Sequence, residues 1–153
     1  MKNSEKIEAA LARVMALVNR LAPEQEAPPS ATDLEALYNE GIDAIEQDRF
    51  TEALEVFGHL AAFMPGNSRY QFGFALCLQH FGETQLAGEY YSLAYALDPS
   101  DAACAFRLGE CLVASGHIEA GQDALRAAIQ LTELADSDPG IRLLAEQLLD
   151  RIN

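Results

Sequence analysis

The stretch FTEALEVF at residues 50–57 decides the fold, because two related stretches follow it at a fixed interval. TQLAGEYY occupies residues 84–91 and IEAGQDAL occupies residues 118–125, so each lies 34 residues after the one before it. The fourth residue of each stretch is small, and the eighth is Phe, Tyr or Leu. Self-similarity at a fixed period indicates a repeat protein. We therefore divide the central chain into blocks 34–67, 68–101 and 102–135.

Features within each block indicate the kind of repeat. A small residue also stands at position 8 of each block, namely Gly41, Ala75 and Gly109. Small residues at positions 8 and 20 allow two helices to approach closely. Pro65 and Pro99, at position 32, end the second helix of their blocks. A 34-residue helix–turn–helix of this kind is the tetratricopeptide pattern. Block three has Glu133 at position 32, so its second helix is expected to run further.

The flanks of the repeats are predicted to be helical as well. Residues 1–22 should form an N-terminal helix with a narrow apolar stripe, made by Ile7, Leu11, Val14, Val18 and Leu21. The stripe either pairs with a second copy of the chain or folds back on the first repeat, since both need the same apolar face. Residues 23–33 contain three Pro and no large apolar residue, which predicts a linker with Thr32 or Asp33 capping the next helix.

A capping helix is predicted for residues 136–153. Asp138 and Pro139 should open it, so that it covers 139–152. Its apolar face is expected to comprise Ile141, Leu144, Leu148 and Leu149. The predicted fold class is therefore all-α: a helical solenoid of three tetratricopeptide repeats, with an N-terminal amphipathic helix and a C-terminal capping helix.

The composition excludes several classes of function. Ten Lys and Arg stand against 24 Asp and Glu, and the net charge of −14 disfavours binding to nucleic acid or to anionic membranes. The sequence has no apolar run of the roughly 20 residues that cross a bilayer, and no signal peptide, so we expect a cytoplasmic protein without direct membrane insertion. Three Cys without C-x-x-C argue against disulfides and zinc. The sequence contains no catalytic or phosphate-binding motif, so we expect no enzyme, cofactor or metal.

The first helix of each repeat should line the concave surface of the solenoid, which is the usual binding face. Positions 5 of the three blocks, Tyr38, Phe72 and Phe106, place one aromatic ring in each repeat. We expect these rings to be partly exposed in a binding groove; the alternative is that they pack between neighbouring helices. The candidate groove residues are Tyr38, Ile42, Ile45, Arg69, Phe72, Leu76, Phe106, Glu110 and Val113.

Four stretches carry a resemblance to a known family: LEALY at 34–38, FTEALEVF at 50–57, Ser68-Arg69-Tyr70 followed by Gly73 and Cys77, and GECL at 109–112. Together they resemble the class II chaperones of bacterial type III secretion systems, which serve the hydrophobic translocator proteins. The resemblance covers roughly residues 30–150.

The resemblance implies a cytoplasmic, non-enzymatic protein that prevents a translocator from aggregating, being degraded or meeting its partner early. A translocator segment with Pro-x-Leu-x-x-Pro-like spacing would lie extended in the groove. By position, Tyr38, Ile42 and Ile45 match the pockets of the first repeat, and Phe72 and Leu76 those of the second. The family commonly dimerises through its N-terminal region, and a homodimer here would use Leu11, Val14, Val18 and Leu21.

Two other functions remain open from the residues alone. A general tetratricopeptide scaffold could assemble folded proteins, and one that recognises a C-terminal carboxylate needs Lys or Arg in the groove. Only Arg69 and Arg107 lie near the candidate groove. An enzyme is the third hypothesis, and the sequence offers no catalytic constellation for it.

Overall fold

The computed structural model describes residues 5, 8, 9, 12, 29–134 and 138–153. The first four, Glu5, Glu8, Ala9 and Ala12, are helical and exposed. The rest of the predicted N-terminal helix and residues 23–28 of the predicted linker lie outside the described residues. So do the residues of the candidate dimer interface, Leu11, Val14, Val18 and Leu21.

Residues 29–134 and 138–153 form seven α-helices, and these ranges contain no strand. The helices are α1 (Ala31–Glu46), α2 (Phe50–Phe63), α3 (Ser68–His80), α4 (Thr84–Leu97), α5 (Ala102–Ala114), α6 (Ile118–Leu134) and α7 (Pro139–Ile152). The all-α helix–turn–helix prediction is thereby confirmed.

The helices belong to two compact units, Met1–Glu83 and Thr84–Asn153. In the first unit α2 packs against both α1 and α3, and α1 also touches α3. In the second unit α5 packs against α4 and α6, while α7 packs against α6 and touches α5. The boundary between the units falls between α3 and α4, which are the two helices of the second predicted repeat.

Small residues stand where helices approach most closely, as the repeat pattern predicts. A Cβ atom on Gly73 of α3 would lie 2.3 Å from the ring of Phe57, and one on Gly41 of α1 would lie 2.8 Å from the same ring. Phe57 itself has no exposed surface. In the second unit a Cβ atom on Gly109 would lie 2.7 Å from Leu125. Glycine therefore permits close helix packing around the large residue at position 24 of a repeat.

Helix ends agree with the sequence at one terminus and differ at another. The hydroxyl of Ser30 accepts a hydrogen bond from the backbone N–H of Asp33 at 3.1 Å, so Ser30 is the N-cap of α1. The prediction that Thr32 or Asp33 caps this helix was wrong, because the serine upstream already satisfies the free N–H group. α6 has 17 residues, whereas α2 has 14, which confirms the extension expected from the missing proline.

The C-terminal helix α7 spans Pro139–Ile152, the expected bounds, and closes one apolar cluster. The buried residues of the cluster are Ala105, Phe106, Leu125, Ala128 and Ala145. Side chains of Ile141, Leu148, Leu149 and Ile152 pack against them. Leu144 was expected on this face, but it is 50% exposed. At 100° per residue the packing face centres near Ala145, which leaves Leu144 at its flank.

Candidate functional site

Tyr38 on α1 lies at the centre of an aromatic cluster in the first unit. Its ring meets the ring of Phe57 edge-on, with centroids 5.9 Å apart and an interplanar angle of 86°. The ring of Tyr70 lies 5.8 Å away. The guanidinium carbon of Arg69 lies 4.5 Å from the centroid of the Tyr38 ring, in cation–π range. The half-buried Tyr38 is thus held by α2 and α3 together.

Arg69 also forms an ion pair with Glu35, at 3.5 Å from Nη2 to Oε2. Both side chains are more than half exposed, so the pair contributes little to stability. Its effect is on geometry, because Glu35 and Tyr38 hold the guanidinium at the surface between α1 and α3. Glu35 and Arg69 occupy the same position in consecutive repeats.

Four apolar candidate residues of the first unit are half-buried. Ile42 and Ile45 follow Tyr38 on α1, and Phe72 and Leu76 follow Arg69 on α3. Steps of three and four residues place each set on one helix face. Because α1 and α3 touch, these two faces belong to neighbouring helices. They provide apolar surface that remains partly open, with one cation beside it.

The three candidates on α5 are placed differently. Phe106 is only 6% exposed and belongs to the apolar cluster closed by α6 and α7. The expectation of an exposed ring is therefore wrong for Phe106, because Leu125, Ala128 and Ala145 close over it. The alternative, packing between helices, holds for this ring.

The other two α5 candidates also have partners within the second unit. Val113 packs toward α6, since a Cβ atom on Gly121 would lie 2.6 Å from its Cγ2. The Glu110 carboxylate accepts a hydrogen bond from Arg107 Nη1 at 3.1 Å. Both side chains are half-buried. Val113 and Glu110 are therefore partly open, as the apolar candidates on α1 and α3 are, while Phe106 is buried.

Sequence reasoning missed the ion pair of Glu35 with Arg69 and the contact of Tyr70 with Tyr38. Glu35 shares its repeat position with Arg69, and residues 34 apart in a stacked repeat are neighbours. That spacing together with opposite charge was a usable signal. For Tyr70, which is 4% exposed, no comparable signal exists, because position 3 carries no fixed residue type in the pattern.

The three cysteines, Cys77, Cys104 and Cys111, are buried, and their thiols are unreactive. Burial raises the pKa of the Cys77 and Cys104 thiols to about 12, and that of Cys111 to about 11. The Cys104 thiol donates to the backbone carbonyl of Tyr91 at 3.3 Å. Neutral, buried thiols are poor nucleophiles and poor metal ligands. Packing is therefore their role.

Metal-binding and membrane-spanning features are both missing from the described ranges. No group of three or more His, Cys, Asp or Glu side chains in these ranges is arranged to hold a metal ion. None of the helices in the same ranges has the length and apolar character that a bilayer span requires.

Known proteins with similar sequence and structure include chaperones of type III secretion, although no family model matches the chain. The low calcium response locus protein H of Yersinia pestis is 28% identical over 122 residues, which cover 80% of this chain and 63% of that protein. The chain thus spans less than two thirds of the length of the curated relatives it matches.

Two solved structures extend the comparison. The Yersinia enterocolitica chaperone SycD, in complex with a peptide of the translocator YopD, superposes with a TM-score of 0.70 and 25% identity, covering 80% of this chain and 94% of SycD. PcrH, a protein of Pseudomonas aeruginosa, was solved with the chaperone-binding region of PopD. It superposes with a TM-score of 0.78 and 21% identity over 84% of this chain and 96% of PcrH. The chain is therefore similar, in sequence and in fold, to the type III secretion translocator chaperones.

Proposed function

We propose that this chain is a cytoplasmic, non-enzymatic chaperone for hydrophobic translocator proteins of a type III secretion system. It binds an extended client segment along α1 and α3 and prevents aggregation and premature association of the client before secretion. The observation that carries this proposal is the half-buried apolar surface of Tyr38, Ile42, Ile45, Phe72 and Leu76 on α1 and α3. Its support is the likeness to SycD and PcrH, which were solved with segments of YopD and PopD.

The physical properties of the chain suit this task. A protein that must enter a membrane exposes apolar segments beforehand and is prone to aggregate. A partner of charge −14 adds repulsion between complexes and so keeps them apart. Extended segments bind through spaced side-chain pockets. Such pockets release the client when it is pulled away, without any chemical step.

The proposal includes a homodimer formed through Leu11, Val14, Val18 and Leu21. It rests on the heptad-like spacing of these residues and on the similarity to SycD, for which an alternative dimer was solved.

A scaffold that recognises carboxylate termini has less support. Arg69 is engaged by Glu35 and by the ring of Tyr38, and Arg107 by Glu110. Both candidate arginines thus already have an acidic partner, and a carboxylate ligand would have to displace it.

Co-expression tests the proposed function. The full chain is produced together with each of the translocators YopD, PopD and PopB, and the soluble, co-purifying client is measured. We expect at least one translocator to become soluble and to co-purify. The Leu76→Asp variant should lose this effect, whereas Leu143→Asp, which changes an exposed leucine of α7, should retain it. Failure with all three clients, or equal activity of both variants, would contradict the proposal.

A further inference from the structure

A cleft of ≈ 470 Å³ lies in the second unit, between α4 and α5. Its floor is formed by half-buried or buried residues, Gly88, Leu108, Cys111 and Leu112. Its rim is formed by exposed polar residues, Gln85, Glu89, Ser92, Ser115 and His117. An apolar floor under a polar rim, in this size range, is the usual form of a ligand site.

The cleft and the candidate groove positions of the second unit lie on different sides of α5. At 100° per residue, Leu108, Leu112 and Ser115 lie on the side of α5 opposite to the groove positions Phe106 and Glu110. A ligand in the cleft would therefore not contact the groove positions of α5. A binding function of this cleft therefore goes beyond the client binding proposed above.

Gly88 contributes no side chain to the floor of the cleft. Glycine inside a helix costs up to about 1 kcal/mol relative to alanine. At Gly73 and Gly109 the helices are too close for any side chain. A Cβ atom would lie 2.3 Å from a neighbouring side chain at Gly73 and 2.7 Å at Gly109. At Gly88 the nearest atom, Cβ of Cys111, would be 3.4 Å away, which is an ordinary contact. Close helix packing therefore does not require Gly88, and its missing side chain leaves the floor open.

The charge of the rim selects the kind of ligand. Glu89 is the only carboxylate among the nine lining residues, which include no Lys or Arg. In the part of the chain that the structure describes, no basic side chain pairs with Glu89. The whole chain adds a field of −14 that attracts cations. Both the Glu89 carboxylate and the net negative charge of the chain disfavour an anionic ligand.

We propose that this cleft is a second peptide-binding site, which takes a leucine-sized side chain on its apolar floor while an adjacent Lys or Arg of the partner pairs with Glu89. The partner is thus a protein segment with an apolar residue followed by a basic one. Because the cleft lies on the side of α5 opposite to Phe106 and Glu110, its ligand leaves these groove positions of α5 uncovered.

The probe for this site is the peptide acetyl-Gly-Leu-Lys-Gly-amide, titrated into the ¹⁵N-labelled full chain and followed by amide chemical shifts. The matched control peptide carries Glu in place of Lys. We expect saturable shifts in the millimolar range at Gly88, Glu89, Leu112 and Ser115 with the lysine peptide. The glutamate peptide should bind at least about tenfold more weakly.

Two substitutions test separately how the floor and the rim of the cleft contribute to peptide binding. Gly88→Leu fills the floor and improves helix propensity, so the variant should fold and lose binding. Its control, Ala96→Leu, adds the same side chain at an exposed position of the same helix and should bind normally. Glu89→Lys should reverse the preference between the two peptides, whereas Glu119→Lys, an exposed change outside the cleft, should not.

The outcomes decide the proposal. Binding that is lost in Gly88→Leu and reversed in Glu89→Lys supports it. Absence of saturable shifts at the cleft overturns it, and so does binding that Gly88→Leu leaves intact. Equal binding of both peptides overturns the assignment of Glu89 as the recognition group. None of these results depends on whether translocators bind to α1 and α3.

Discussion

The guanidinium of Arg69 lies 4.5 Å from the centroid of the Tyr38 ring, although the two residues belong to different repeats. Tyr38 comes from α1, and Arg69 comes from the first turn of α3. Phe57 of α2 meets the same ring edge-on. The first pocket of the proposed client surface is therefore built by two repeats together. A client residue that packs on Tyr38 must share the ring with Arg69 or displace it.

This relationship predicts a small stability effect at Arg69. Arg69→Ala removes an exposed cation–π contact and an exposed ion pair, which together contribute about 0.5–2 kcal/mol to the free energy of unfolding. Urea unfolding measures the change. Arg126→Ala, which removes a similarly exposed pair with Asp123 at 3.4 Å, is the matched control. A loss at Arg69 above about 2 kcal/mol would show that the arginine is structural rather than a surface contact.

Replacing Gly73 even by alanine is predicted to destabilise the protein. A Cβ atom there would lie 2.3 Å from the fully buried ring of Phe57, so the ring or the helix must move. Gly73→Ala should lower the free energy of unfolding by about 1–3 kcal/mol. Gly66→Ala, where no heavy atom lies within 4 Å, serves as the control and should change stability little. Equal stability of the two variants would mean that α2 and α3 are not packed as described.

The capping role of α7 predicts a contrast between two of its residues. Ala145 has no exposed surface and faces the apolar cluster, whereas Leu143 is 55% exposed. Ala145→Glu should destabilise the protein by at least about 2 kcal/mol, because it buries an unpaired carboxylate. Leu143→Glu should change stability by less than about 0.5 kcal/mol. Thermal or urea unfolding compares them, and a reversed order would contradict the orientation of α7.

The buried thiols predict a loss of stability in alkaline solution. A thiol of the unfolded chain, exposed to water, has an ordinary pKa of 9.0, while burial raises the folded pKa of Cys111 to about 11. Between these values the native state holds more protons, so the free energy of unfolding falls as pH rises. Each thiol contributes up to about 1.4 kcal/mol per pH unit there.

Urea unfolding of the parent chain and of Cys111→Ala, at several pH values from about 8 to about 10, tests this slope. The variant should show the shallower decline, because one thiol no longer titrates. Parallel curves would show that Cys111 is accessible to water in the folded protein.

The sequence predicted the repeat architecture well because a packing requirement recurs every 34 residues. Gly41, Gly109, Ala53 and Phe57 stand where two helices must touch, and the structure buries all four. The extension of α6 also followed from one absent proline. These features are local, so the residue types themselves reveal them.

The candidate site was predicted less well, because exposure depends on what packs from elsewhere. Phe106 shares its repeat position with Tyr38 and Phe72, yet the C-terminal helix helps to bury it. That helix is not part of the repeat, and the periodic pattern carries no information about its position. Similarly, the cleft beside Gly88 involves two helices whose spacing is a tertiary property.

Peptide binding to α1 and α3 is the most direct test of the central claim. Tyr38 is not a suitable position for this test, because its ring packs on Phe57 and its truncation would also damage the core. Ile42→Ala and Phe72→Ala are preferable, with Leu93→Ala, an exposed residue of α4, as the control.

The measurement is a titration of labelled peptides with Pro-x-Leu-x-x-Pro spacing, beside scrambled peptides, with circular dichroism to verify folding. We predict saturable binding in the micromolar range that weakens at least about tenfold in Ile42→Ala and Phe72→Ala and is unchanged in Leu93→Ala. Equal affinity for scrambled peptides, or unchanged affinity in both folded groove variants, would contradict client binding on α1 and α3.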